Sequence, residues 1–344
     1  MSEKLCVLRL SAIGDTCHTL PVVRAIQDHL PAAELSWVIG SLEHQLLGDI
    51  DGIRFIPYNK RGGKAAVQSL KRDLGEQRFD ALLHMQVALR ASLLSRHVKA
   101  DRRIGFDRAR ARDWQWLFTN ERIAAGDRQH VMDGLLGFLE PLGIPRPARP
   151  RWDIPLPATA REFASRTLGD RPALVISPCS SQRARNFRNW AVERYVAVIE
   201  HARMRGLEVI LSGGPSELER EYGERISAAV DCRNLIGKTS LKELMALLAA
   251  ARVVISPDSG PVHMANAAGT PVVGLYATSN PDRTGPYHHR ELVANRYPDA
   301  LDQYLGKSVD QVRWGQRVRH PDAMDLISVD DVTGKLDLAL ELGA

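Results

Sequence analysis

Cysteine is scarce in this chain, and the little there is has no pattern. The four residues Cys6, Cys17, Cys179 and Cys232 are scattered over 344 positions, with no metal-ligand spacing. Without a disulfide framework, a reduced cytoplasmic protein is expected. Aromatic residues make up only 6% of the chain, so stacking platforms for nucleic acid are few, and no nucleic-acid motif accompanies them. Long apolar runs are missing too. Leu244–Ala251 and Pro271–Tyr276 are among the longest, far short of a membrane span. The opening MSEKLCVLRL carries an acid and turns at once into strand-like sequence, so no signal peptide is expected. The absence of a Walker A lysine motif, a GxSxG elbow, HExxH and GxGxxG argues against a P-loop kinase, a serine hydrolase, a zincin and a standard NAD enzyme.

What is present is an ordinary globular composition, 44% hydrophobic and 25% charged, in a chain long enough for two domains. The net charge of +5 is unevenly spread. Lys60 to Arg112 holds fourteen Lys/Arg against five Asp/Glu, which leaves the rest of the chain acidic by four. A solvated basic face is the plain explanation. Its concentration in one half suggests instead a partner carrying several negative charges, such as anionic lipid head groups or a phosphorylated sugar.

Short apolar runs alternate with helical patterns. Leu5–Leu10, Leu35–Ile39, Gly52–Ile56 and Asp80–Met85 read as strands, with helices from about Asp15 to His29, Ala65 to Gln77 and Ala88 to Arg96. Five prolines crowd Gly143–Pro157, an extended inter-domain linker or edge segment. The alternation then restarts with strands at Ala173–Ser177, Glu208–Ser212 and Val253–Ile255, and helices at Ala191–Arg205, Glu217–Val230 and Leu241–Ala250. Such alternation predicts an α/β protein with parallel, doubly wound sheets in two halves, and a ligand cleft at the carboxyl ends of the strands. Ser328-Val329-Asp330-Asp331 reads as a capping box opening a last amphipathic helix.

The polar residues gather after strands. Asp258-Ser259-Gly260 follows the run Val253–Ile255 and precedes a lean helix containing His263, Ala265, Ala267 and Ala268. Backbone N–H groups and a positive helix end there suit an anion, although a well-made turn needs no ligand. Ser177–Trp190 is a long basic loop in which Ser180, Ser181 and Arg188 could hold phosphate oxygens. Glu217, after Gly213-Gly214-Pro215-Ser216, is a candidate for ribose hydroxyls or simply a helix-start acid. Asp15 follows the first strand at the edge of the expected cleft, as a catalytic group or a helix N-terminal acid, and Gly14 before it allows close approach of a second molecule.

Together, RLSAIGDTCHTLPVVRAI at Arg9–Ile26, GGPSELE at Gly213–Glu219 and the stretch Ser256–Tyr287 resemble the bacterial ADP-heptose:lipopolysaccharide heptosyltransferases, glycosyltransferase family 9. The resemblance runs over nearly the whole chain, and CVLRLSAIGDTCHTL is most similar to the group adding the first heptose to Kdo. It implies the GT-B architecture, two Rossmann-like domains facing across a cleft. The expected division is 1–155 for the acceptor and 156–327 for ADP-heptose, with 328–344 packing back on the N-terminal domain. Asp15 falls on the family's catalytic base, which takes the acceptor hydroxyl's proton during a single inverting displacement. Ser180, Ser181, Asp258, Ser259 and Gly260 fall on the donor's diphosphate loops, with His263 nearby, Glu217 on the ribose and Thr239 near the base. Arg188 stands where a lysine is often found, keeping the charge but not its point geometry. Ser11, Gly14, Arg61, Arg90 and Arg112 fall to the acceptor, the arginines facing Kdo and lipid A phosphates. The resemblance implies no metal and no other cofactor, no nucleic acid, and work at the inner face of the inner membrane on Kdo-lipid A. Three other readings remain: heptosyltransferase II, a GT-B transferase using another nucleotide sugar, and a non-catalytic protein binding anionic lipid.

Overall fold

The computed structural model describes residues 2–180 and 186–342. The chain divides into two compact units, Met1–Pro155 and Leu156–Ala344. In the first, strands β1 (Lys4–Leu8), β2 (Glu34–Gly40), β3 (Ile53–Tyr58), β4 (Arg78–His84), β5 (Lys99–Gly105) and β6 (Glu121–Arg122) form one sheet in the order β3-β2-β1-β4-β5-β6. In the second, β7 (Ala173–Ile176), β8 (Glu208–Leu211), β9 (Arg233–Asn234), β10 (Val253–Pro257), β11 (Val272–Tyr276) and β12 (Ala294–Asn295) run in the order β12-β11-β10-β7-β8-β9. Every pairing is parallel. Both orders are the doubly wound one, with strand order reversing between β1 and β4 in one sheet and between β7 and β10 in the other. A crevice opens beyond the carboxyl ends of such a pair.

Parallel strands covered by helices on both faces must be apolar throughout. Leu5, Cys6, Val7 and Leu8 of β1 and Val253, Val254 and Ile255 of β10 are all essentially inaccessible to water. Central strands of this kind were the visible ones. Lys99–Gly105 (KADRRIG) was not anticipated as a strand, because its side chains are mostly polar. It is held by Arg102 on Glu121 and by Arg103 on the carbonyls of Ser95, Val98 and Phe118. Most of the other basic residues between Lys60 and Arg112 are exposed. The proline-rich segment is no loose tether either. Trp152 is buried, its indole donates to Cys17 O at 2.8 Å, and Arg24 Nε donates to Trp152 O at 3.1 Å.

The last helix, Val329–Glu341, does open on the Ser328/Asp331 capping box. Val332, Leu336 and Ala339 are fully buried in the core of the second unit, together with Val198, Ala202 and Leu275. Asp337 reaches His201 at 2.9 Å on the helix Val192–Met204 and Arg205 at 2.7 Å at its C-cap. The apolar stripe seen in the sequence lies in the core of the second unit.

Candidate active site

Asp15 is the third residue of the helix Ile13–His29, which starts directly beyond β1. Its carboxylate accepts from Ala12 N at 3.0 Å and pairs with Arg9 Nη2 at 2.7 Å. Arg9 is almost fully buried, and its guanidinium also donates to Ser11 O and Met85 O, so it ties the ends of β1 and β4 to this acid. Gln86, just past β4, accepts from Leu10 N at 2.7 Å and donates to Ser11 Oγ at 3.4 Å. Asp15 therefore stands at the reversal of the strand order, oriented from two sides, with 38% of its side chain open to solvent. Cys17 offers no competing nucleophile. Burial, reinforced by the charge of Asp15, pushes its thiol up to about 12. Gly14 is buried in the first helical turn, and Ser11 is half-buried in the loop before it.

Beyond β2 and β3 lies a cationic edge. Lys60 pairs at 2.9 Å with the buried carboxylate of Glu43, and the exposed Arg90 donates to Lys60 O at 3.1 Å. Gly40 is required here, because a Cβ would lie 2.3 Å from Leu10 O and 2.2 Å from Glu43 Oε2. Arg61 is exposed next to Lys60, so the structure brings Arg61 and Arg90 to one edge. Arg112 is exposed on a different loop, beside Asp113.

In the second unit, Arg188 Nη1 donates to Asp258 O at 2.7 Å and lies 3.3 Å from Asp258 Oδ2. Asp258, only 5% exposed, also accepts from Ser279 Oγ at 2.8 Å and has Arg317 Nη2 at 3.8 Å. Its carboxylate is thus held among Arg188, Ser279 and Arg317. Asn186 Oδ1 accepts from Ser180 Oγ at 2.8 Å and from Arg188 N at 3.2 Å, joining the loop after β7 to the same network. Ser181 lies outside the described residues. The helix Gly260–Ala268 starts at Ser259 without a side-chain cap, because the Ser259 hydroxyl is bonded to Ser256 Oγ at 2.8 Å. Its first turn holds no acid and no side-chain cap, an arrangement that favours an anion at a helix start. His263 sits in this helix, largely buried.

Glu217 and Thr239 stand apart from that network in the bonds they make. Glu217 is exposed at the first turn of the helix Glu217–Ala229, and Thr239 is half-buried just before the cap Ser240 of the next. Glu219, two residues on from Glu217, accepts from Gly214 N at 2.7 Å and shapes the glycine turn. Reading the sequence missed Arg9, Gln86, Asn186, Arg317 and Glu219. Arg9 had a usable signal, a lone cation in an apolar strand. The others are ordinary loop polars that only the fold brings into place. Among the described residues no group of three or more His, Cys, Asp or Glu could hold a metal ion.

Two doubly wound parallel sheets, with an acid beyond the central strands of one and an anion-type helix start beyond those of the other, define a GT-B glycosyltransferase. The family model "Glycosyltransferase family 9 (heptosyltransferase)" matches residues 67–303, and the chain belongs to that family. It is 41% identical to the lipopolysaccharide core heptosyltransferase OpsX of Haemophilus influenzae, over 97% of this chain and 96% of that protein. It is 23% identical to lipopolysaccharide heptosyltransferase 1 of an Escherichia coli strain, over 90% of this chain and 96% of that protein. In fold it is similar to E. coli heptosyltransferase WaaC with ADP, at a TM-score of 0.76 and 19% identity, covering 98% and 99% of the two chains. The protein is a heptosyltransferase of lipopolysaccharide core biosynthesis.

Proposed function

We propose that the protein transfers L-glycero-D-manno-heptose from ADP-heptose to Kdo, adding the first heptose of the inner core with inversion at the anomeric carbon. The observation that carries this is the placement of Asp15, an oriented and reachable carboxylate beyond β1. In the proposed reaction the acceptor hydroxyl gives its proton to Asp15 as its oxygen attacks the anomeric carbon. The bond from that carbon to the diphosphate oxygen breaks in the same step, and ADP leaves with the electron pair. Arg9 and Ala12 N keep the acid aimed, a positioning role. Charge growing on the departing diphosphate is met by the start of the helix Gly260–Ala268, by Ser180 and by Arg188, whose direction Asp258 sets. Glu217 and Thr239 are assigned to the ribose and base, and Arg61, Arg90 and Arg112 to the anionic acceptor.

This scheme gives the leaving-group charge to protein groups, so turnover should be unchanged by EDTA. The choice of the first heptose rests on the segment Cys6–Leu20 and on the similarity to heptosyltransferase 1. The test is an assay of purified protein with ADP-heptose and Kdo-lipid A, with and without phosphate on Kdo, read by mass spectrometry. A product one heptose heavier on either acceptor supports the proposal. Product only on an already heptosylated acceptor would move the enzyme to a later step.

A further inference from the structure

Four large apolar side chains of the first unit stand in solvent close together: Leu89 (39% exposed), Leu93 (46%), Trp114 (58%) and Leu117 (71%). Leu89 and Leu93 lie one turn apart on the helix Leu89–Ser95, with Arg96 continuing the same face. The second segment is fastened beside that helix. Leu89 N donates to Asp113 Oδ2 at 3.4 Å, and Arg96 and Leu117 line one shallow depression. Arg103 clamps the pair, donating to Ser95 O at 2.8 Å from one side and to Phe118 O at 2.9 Å from the other.

The presentation of Trp114 is built, not incidental. Asp113 and Trp114 adopt φ of 51° and 56°, a left-handed backbone that a tryptophan rarely takes. The next residue, Gln115, is fully buried, donating to His84 O at 2.8 Å and accepting from Phe106 N at 3.2 Å. A strained turn anchored by a buried glutamine thus holds an indole and a leucine outward. Around them stand the exposed Arg90, Arg96 and Arg112, with Asp113 the nearby acid.

We propose that this face docks the protein on an anionic lipid bilayer, Trp114 and Leu117 entering the head-group layer while Arg96 and Arg112 meet lipid phosphates. An amphipathic indole, leucines and arginines on one face are what an interfacial surface requires. A second copy of the chain fits less well, because a two-fold contact would set the same arginines against each other. The proposal rests on the lipid-linked acceptor above only for its usefulness, since docking is measured without substrate.

The experiment is co-sedimentation of the full chain with vesicles of phosphatidylcholine alone or with one-third phosphatidylglycerol, at low and high salt. The wild type should pellet with the anionic vesicles and be released by salt. Trp114→Ser and Leu117→Ser should each lower partitioning about tenfold, the order expected for losing one buried apolar side chain. Arg96→Gln should lower it about fivefold at low salt and little at high salt. Met204→Ser, which removes a 79% exposed methionine from the second unit, should change nothing. Transfer to a soluble, deacylated acceptor should survive both apolar variants, so a silent assay there would count against the transferase reading and not against docking. Equal partitioning of wild type and variants would overturn the proposal. So would loss of a concentration-dependent dimer in Trp114→Ser without any vesicle binding.

Discussion

Beyond β1 of the first sheet, the helix that follows begins with a carboxylate; beyond β10 of the second, the helix that follows begins with no acid and no side-chain cap. The two sheets share one strand order and one kind of crevice, so topology supplies both places equally. What differs is the residue in the first helical turn and what orients it. Asp15 is fixed by a buried arginine behind it and is suited to receive a proton. At Gly260 the first turn holds no acid and no side-chain cap, Asp258 is paired with Arg188, and the place is suited to an anion. One fold repeated twice thus provides opposite chemistry from a few side chains.

The comparison is broken most severely at Asp15. Asp15→Asn keeps the shape and an acceptor oxygen but not the base, and kcat should fall about 10²- to 10⁴-fold in a transfer assay. Its counterpart is Arg188→Ala, which removes the cation and leaves the buried Asp258 carboxylate without it. ADP affinity should weaken roughly tenfold to a hundredfold by calorimetry, with little change in acceptor KM. Arg90→Ala acts at the exposed edge of the first unit, where one charge is screened by water. It should raise acceptor KM about fivefold or less and leave ADP binding as it was.

The smallest effect concerns stability. Burial, with the charge of Arg103, depresses the His84 imidazole to about 3. The folded state keeps His84 neutral while the unfolded chain protonates it near its ordinary value of 6.5. Its contribution is therefore present above that value and lost as pH falls below it towards 3. Melting curves between pH 7.5 and 4.5 should show a flatter acid limb in His84→Gln, by a few degrees, at the cost of a lower Tm near neutrality.

The sequence disclosed the parts of this fold whose local pattern and final environment agree. Strands buried on both faces, such as β1 and β10, are largely apolar, and the helix Ile13–His29 is closed by Pro31 after it. β5 was hidden because its arginines are satisfied in part by an acid and carbonyls well separated in sequence, Glu121, Pro141 and Phe118. The helix Val329–Glu341 was recognised, but its amphipathic stripe says only that it packs, not on what. The site shows the same division. Asp15, Ser259 and Gly260 sit in local strand-turn-helix signatures and were visible. Arg9, Asn186 and Arg317 matter through contacts that span loops, which no window of sequence contains.

The central claim is that proton acceptance and donor binding belong to different units of the chain. It is tested most directly by titrating ADP-heptose into the Asp15→Asn protein by calorimetry while following transfer on the same sample. Donor affinity within about twofold of wild type, with transfer abolished, is the predicted result. Donor affinity that falls together with transfer, or transfer that persists, would contradict it.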